Sequence, residues 1–282
     1  MASSGKKYID IENVIREKNP TLLKWLPGFV LRYIKRVLHE KELNAALNRM
    51  EGLRGYNFAK ATIEEIGANL KWEGLENIPL EEPCIIAANH PLGGLDGVAL
   101  IVAVHQRRPD FQFLVNDILL QLEGLRDIWL PVNKHGKTSA EHKQIIERAF
   151  SSQQANLIFP AGLVSRKQNG KISDLRWRKG CLTYATRYKR NIVPCYIEGK
   201  NSNFFYNLAY WRKKLGIKAN IEMFYLVDEM FKQRGKTITI TFGKPISYHT
   251  FEGHNLDHWS QKLKEHVYAI GKTPHLPLPV ME

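Results

Sequence analysis

Cysteine is scarce. The 282-residue chain has three, Cys84, Cys181 and Cys195, too few and too scattered for a disulfide framework or a thiolate metal site. They stand in apolar or helical contexts, which predicts buried thiols in a reducing compartment, with the cytosol as the expected location. Long apolar runs are missing too. The stretch Val98 to Val104 holds seven residues, against the roughly 18 to 20 that a spanning helix needs. The N-terminus carries Lys6 and Lys7 with no apolar core after them, so no secretory leader is expected. Gly-x-Ser-x-Gly is absent, which removes the strained nucleophile elbow of the α/β-hydrolases. His254 and His258 are spaced i and i+4 beside Asp257 but lack the glutamate of His-Glu-x-x-His. They lie in a turn region containing Gly253, so a solvated cluster is expected and no metal.

Acidic charge is in deficit. Lys and Arg number 41 against 28 Asp and Glu, a net charge of +13. The excess is local: between Arg166 and Lys214 there are thirteen cations and only Asp174 and Glu198 to oppose them. Such a segment attracts anions, whether nucleic acid, an anionic bilayer or an acidic carrier protein. Trp177, Tyr184, Tyr188, Tyr196 and Trp211 interleave with it, as a single-strand binder would arrange them. No nucleic-acid module accompanies them, and nucleic acid is not an expected partner.

Residues 1–70 read as an N-terminal helical segment. Within 21–50, Phe29, Val30, Tyr33, Ile34, Val37 and Leu38 recur at three- and four-residue steps with Arg32, Lys35 and Arg36 between them. That is the pattern of a basic amphipathic helix, whose apolar stripe either packs on the main domain or lies on an anionic membrane surface. A further helix is predicted over 56–70. From Pro83 onward, short β-prone runs (84–88, 112–115, 127–132, 156–159, 191–197, 219–226 and 236–242) alternate with helical patterns at 94–106, 138–152, 178–189 and 203–215. The fold class is α/β: a mixed, mostly parallel sheet flanked by helices, over residues 71–282. The proline-bearing tail from Thr273 reads as an extended strap or a loose end.

Two strand-end turns carry the chemistry. Asn89-His90-Pro91-Leu92-Gly93-Gly94-Leu95-Asp96-Gly97 follows the apolar run Cys84 to Ala88 and puts an imidazole and a carboxylate in one glycine-rich turn. A neutral imidazole can take a proton from a hydroxyl, and a carboxylate fixes its tautomer and stabilises the imidazolium. The second turn, Phe159-Pro160-Ala161-Gly162-Leu163-Val164-Ser165-Arg166, offers a close backbone approach at Gly162 and a guanidinium at Arg166 for an anion. In an α/β sheet both strand ends can face one pocket.

The order of these blocks resembles the glycerolipid acyltransferase superfamily, which includes the 1-acylglycerol-3-phosphate acyltransferases, over roughly residues 70–248. Asn89, His90 and Asp96 match its Asn-His…Asp block, and Ile128 through Asn133 and Lys134 its second. Phe159 through Ser165 correspond to Phe-Pro-Glu-Gly-Thr-Arg-Ser, and Ile192 through Tyr196 to the stretch around Val-Pro. The spacer between His90 and Asp96 holds five residues rather than four, and Ala161, Leu163 and Val164 replace Glu, Thr and Arg. Both departures resemble the branch labelled hemolysin, which is similar to the O-acyltransferases of ornithine and glycine lipids.

The resemblance implies transfer of an acyl group from acyl carrier protein or coenzyme A to a lyso-lipid hydroxyl. His90 and Asp96 would be catalytic. Asn89, Gly93, Gly94, Asn133, Lys134, Phe159, Pro160, Gly162, Ser165 and Arg166 would bind substrate, Arg166 replacing the usual phosphate-binding arginine. No cofactor beyond the acyl donor is implied. The enzyme would sit peripherally on the inner face of the membrane. A 1-acylglycerol-3-phosphate acyltransferase is the alternative within the superfamily.

Overall fold

A computed structural model of the chain describes residues 6–116, 122–132, 140–168 and 170–278. Five helices come first: α1 (Ile11–Lys18), α2 (Pro20–Trp25), α3 (Gly28–Val37), α4 (Glu40–Arg49) and α5 (Gly55–Ile66). The periodic stretch from 21 to 50 is thus three helices. It is interrupted at Pro27, whose missing N–H cannot extend a helix, and at His39, which adopts a left-handed conformation with φ 49°. The helix expected over 56–70 stops at Ile66, where Gly67 caps it at φ 74°. Strand β1 (Asn69–Glu73) takes its place.

The sheet is built from β1, β2 (Cys84–Ala88), β3 (Phe111–Asn116), β4 (Trp129–Val132), β5 (Ala155–Ile158), β8 (Asn191–Ile197) and β9 (Thr237–Phe242), in the order β1-β9-β8-β2-β5-β3-β4. Between β5 and β8, the short strands β6 (Arg166–Gln168) and β7 (Lys171–Ser173) form a separate hairpin. β8, β2, β5, β3 and β4 run parallel. β9 meets β8 antiparallel and carries β1 parallel to itself. The sheet is therefore mixed and mostly parallel, as expected from the sequence.

Helices cover both faces. α6 (Gly94–His105) is buried from Leu95 through Val104 and packs between the sheet and α5, whose Phe58, Ile63 and Ile66 join the same core. On the opposite face lie α7 (Ala140–Ser151), α8 (Gly180–Arg187) and α11 (Leu256–Ile270). β2 shows why the sheet needs both layers. Cys84, Ile86 and Ala88 face the first core, Ile85 and Ala87 the second, and none is exposed. A strand apolar on both sides contributes about 1.5–3 kcal/mol per buried isoleucine, but only when covered twice.

Two more expectations are corrected. The strand predicted over 219–226 is a 3-10 turn, Ile221–Tyr225, followed by α10 (Leu226–Phe231). It forms around Glu222, a fully buried carboxylate with Arg166 and Arg212 as partners. The region after Gly253 is not a turn alone: Asn255 caps α11 with its side chain, and Trp259, Leu263, Val267 and Ile270 form its buried stripe. Beyond it, Leu276 to Leu278 line a 280 Å³ cavity with Lys244 to Ser247, Thr250 and His266, so the tail is a strap as far as it is described. The remaining long helix, α9 (Asn203–Lys214), leads toward α10.

Candidate active site

β2 and β5 are parallel neighbours, so the turns that leave them emerge at the same edge of the sheet. Asn89 is buried and clamps the end of β8: its amide donates to the Ile197 carbonyl (2.9 Å) and its Oδ1 accepts the Ile197 amide (2.6 Å). The chain then reverses through Gly93, at φ 86°, into the first turn of α6. Asp96 sits in that turn, wholly buried. Its Oδ2 meets His90 Nδ1 at 2.9 Å and accepts the amides of Leu92 (2.7 Å) and Gly93 (3.0 Å). Burial pushes the Asp96 carboxyl above its usual range, while the contacts from His90, Leu92 and Gly93 draw it partly back.

Phe159 from the second turn stacks on the imidazole, ring centroids 4.1 Å apart and planes 14° apart. Ser165 binds the same peptide from behind, its amide donating to the His90 carbonyl at 2.8 Å. The Ser165 hydroxyl reaches Asp174 Oδ1 at 2.5 Å. Asp174 is a positioning residue that the sequence reading did not single out. Completely buried, it also accepts the His90 amide (3.1 Å), Trp177 Nε1 (2.8 Å) and the Tyr268 hydroxyl (3.2 Å). Four donors from separate segments satisfy a carboxylate that would otherwise be costly to bury.

The other expected residues divide. Gly93, Gly94, Phe159, Pro160 and Gly162 line one cavity with His90. The Gly93 amide is taken by Asp96, whereas Gly94, first in α6, shows no described acceptor for its own. Asn89 and Ser165 shape the turns and are not among the cavity's lining residues. Arg166 does not face it either: its guanidinium is buried against Glu222 (2.9 Å) and the Val164 carbonyl (2.7 Å). Burial lowers its pKa, and Glu222 opposes that shift. The basic segment is partly internal as well, since Arg190 is fully buried among carbonyls of residues 149–154 and Asn156. Asn133 and Lys134 lie outside the described residues. Cys84, Cys181 and Cys195 are buried thiols, burial holding Cys84 near 11 and Cys181 near 12.

The cavity encloses about 400 Å³. Gly97, Val98, Phe113, Val115, Leu125 and Trp129 give it an apolar wall, and Arg178 also lines it. An imidazole backed by a buried carboxylate at the rim of an apolar pocket can deprotonate a hydroxyl borne by a hydrocarbon chain. Among the described residues no group of acidic, histidine or cysteine side chains could hold a metal, and no helix is long and apolar enough to cross a membrane.

The chain is 43% identical over 272 residues to a lyso-glycine lipid O-acyltransferase of Bacteroides thetaiotaomicron, covering 96% of this chain and all of the relative. It is 43% identical over 265 residues to a protein of the same name from Phocaeicola vulgatus, covering 93% and 95%. A solved structure, the 1-acyl-sn-glycerophosphate (LPA) acyltransferase PlsC of Thermotoga maritima, aligns over 92% of this chain and 91% of its own at 16% identity and a TM-score of 0.49. The acyltransferase family model matches residues 13–270. The chain belongs to that acyltransferase family and is an acyl-transferring enzyme of lipid biosynthesis.

Proposed function

We propose that the enzyme esterifies the hydroxyl of a lyso-amino-acid lipid, of the N-(3-hydroxyacyl) glycine kind, with an acyl group from acyl carrier protein or coenzyme A. The observation that carries this reading is the His90–Asp96 pair, 2.9 Å apart, whose imidazole lines an apolar cavity. The relatives named for lyso-glycine lipid support the acceptor class. With Nδ1 directed to Asp96, Nε2 is left to take the acceptor's proton. The alkoxide oxygen attacks the thioester carbonyl, and the Gly94 amide at the positive end of α6 is the candidate to stabilise the oxyanion. Collapse breaks the carbon–sulfur bond, and the leaving thiolate recovers the proton from His90. The products are an ester and a free thiol.

The substrate is a lipid, and the surface suits a bilayer. Trp25, Phe29 and Tyr33 are 81%, 67% and 50% exposed. The Tyr33 hydroxyl bonds Tyr225 (3.1 Å), which packs on exposed Phe204, so the aromatics continue from α3 to α9. Arg32, Arg36, Lys213 and Lys214 are exposed on these same helices, each adding about 1 kcal/mol on anionic lipid.

The test offers purified protein acyl carrier protein and coenzyme A thioesters with N-(3-hydroxyacyl) glycine, the ornithine analogue and lysophosphatidic acid, and identifies esters by mass spectrometry. His90→Ala should lose about 10²–10⁴ in turnover at unchanged melting temperature. Near-normal transfer by that variant removes the general base from the account.

A further inference from the structure

We propose that Arg178 recognises the acceptor, its guanidinium holding the headgroup carboxylate while His90 works on the hydroxyl. This rests on the acceptor class proposed above and names the residue that selects for it. Among the described residues lining the cavity, Arg178 is the only permanently charged one. Its side chain is exposed, with no hydrogen bond or ion pair to the described chain.

The neighbouring cations are committed elsewhere. Lys179 pairs with Asp257 at 2.8 Å and Arg176 approaches the same carboxylate at 3.9 Å. Trp177, between them, is buried and pinned by Asp174. The alternation sends two cations to α11 and leaves the third beside the pocket. Arg166 is closed off by Glu222.

Position is equally fixed. The Arg178 amide donates to the Pro160 carbonyl at 3.1 Å, tying it to the turn whose Phe159 stacks on His90. The next turn opens α8, and Gly180, also lining the cavity, leaves open space where a side chain would stand. An anion entering there meets a planar donor fork and the positive end of a helix together. A carboxylate can accept both guanidinium bonds side by side.

The test compares N-(3-hydroxyacyl) glycine with its methyl ester, which keeps the hydroxyl and the acyl chain but has no charge. Wild type, Arg178→Gln and Arg178→Lys are assayed for kcat and KM toward both acceptors and toward the thioester. The wild type should favour the free acid. In R178Q the acid-to-ester ratio of kcat/KM should fall about 10–100-fold, through acceptor KM, and R178K should restore part of it. An unchanged ratio, or a rise confined to the KM of the thioester, overturns the assignment and in the second case gives Arg178 to the donor's phosphates. A wild type that esterifies neither acceptor defeats the proposed function itself, and the Arg178 assignment with it.

Discussion

Replacing Asp96 by asparagine isolates the contribution of one charge. In many acid–imidazole pairs such a change reverses the imidazole tautomer, because the amide can turn its NH2 toward the ring. Here that rotation is blocked. Three donors, His90 Nδ1 and the amides of Leu92 and Gly93, converge on the single oxygen Oδ2. An asparagine must keep its carbonyl oxygen there, since two backbone N–H groups cannot move aside. The tautomer is retained, and what disappears is the attraction between carboxylate and imidazolium. At about 4 Å and an effective dielectric near 20 that attraction is ~4 kcal/mol, an upper figure of about 10³ in rate. The expected loss is therefore about 10–10³-fold, no larger than that of His90→Ala.

Stability should move the other way. The folded protein holds the Asp96 carboxyl above its unfolded range, so the protonated form is the one that folding favours. Stability from this group is complete below the unfolded value and falls as pH rises through the folded one. D96N removes that slope and should melt no lower than wild type at neutral pH. The assays are thiol release with a saturating acceptor, and thermal unfolding from about pH 4 to about pH 7. Activity within about threefold of wild type would refute a charge role. An activity loss matched by a collapse in melting temperature would show that the residue serves the fold.

Two further outcomes follow from the same geometry. A Cβ at Gly97, in the cavity wall, would stand within ordinary contact of Phe113 and Phe159, so Gly97→Val should fill space otherwise open to methylenes. Each methylene displaced costs ~0.8 kcal/mol, about fourfold, and the optimum acyl length should shorten in a thioester series from long to short chains. Trp25→Ala combined with Phe29→Ala should reduce co-sedimentation with vesicles containing phosphatidylglycerol by at least tenfold, since two large apolar side chains contribute about 3 kcal/mol together. Unchanged sedimentation would remove the aromatic surface of α2 and α3 from membrane docking.

The central sheet was legible because its strands are short, apolar and bounded by glycine, proline or charge. Residues 191–197 were read to the residue. The His90–Asp96 turn was legible for the same reason: both groups lie within six residues and need only the turn to meet. β1 was not, because this edge strand, Asn69–Glu73, is mostly exposed and carries Lys71 and Glu73 among its few apolar residues. Arg166 looked available for an anion because its counter-charge, Glu222, is 56 residues away. Asp174 was hidden in the same manner, its donors coming from residues as distant as His90 and Tyr268. The signal for α11 is present in the sequence, an Asn255 cap followed by an apolar step at 259, 263, 267 and 270.

Asp174 gathers its ligands from the exit of the central strand, the Ser165 turn, its own segment and the last helix. The backbone of His90 is consequently braced from the last helix as well as from its own turn. A nascent or truncated chain ending before Tyr268 would leave that carboxylate short of a partner and the His90 loop unbraced.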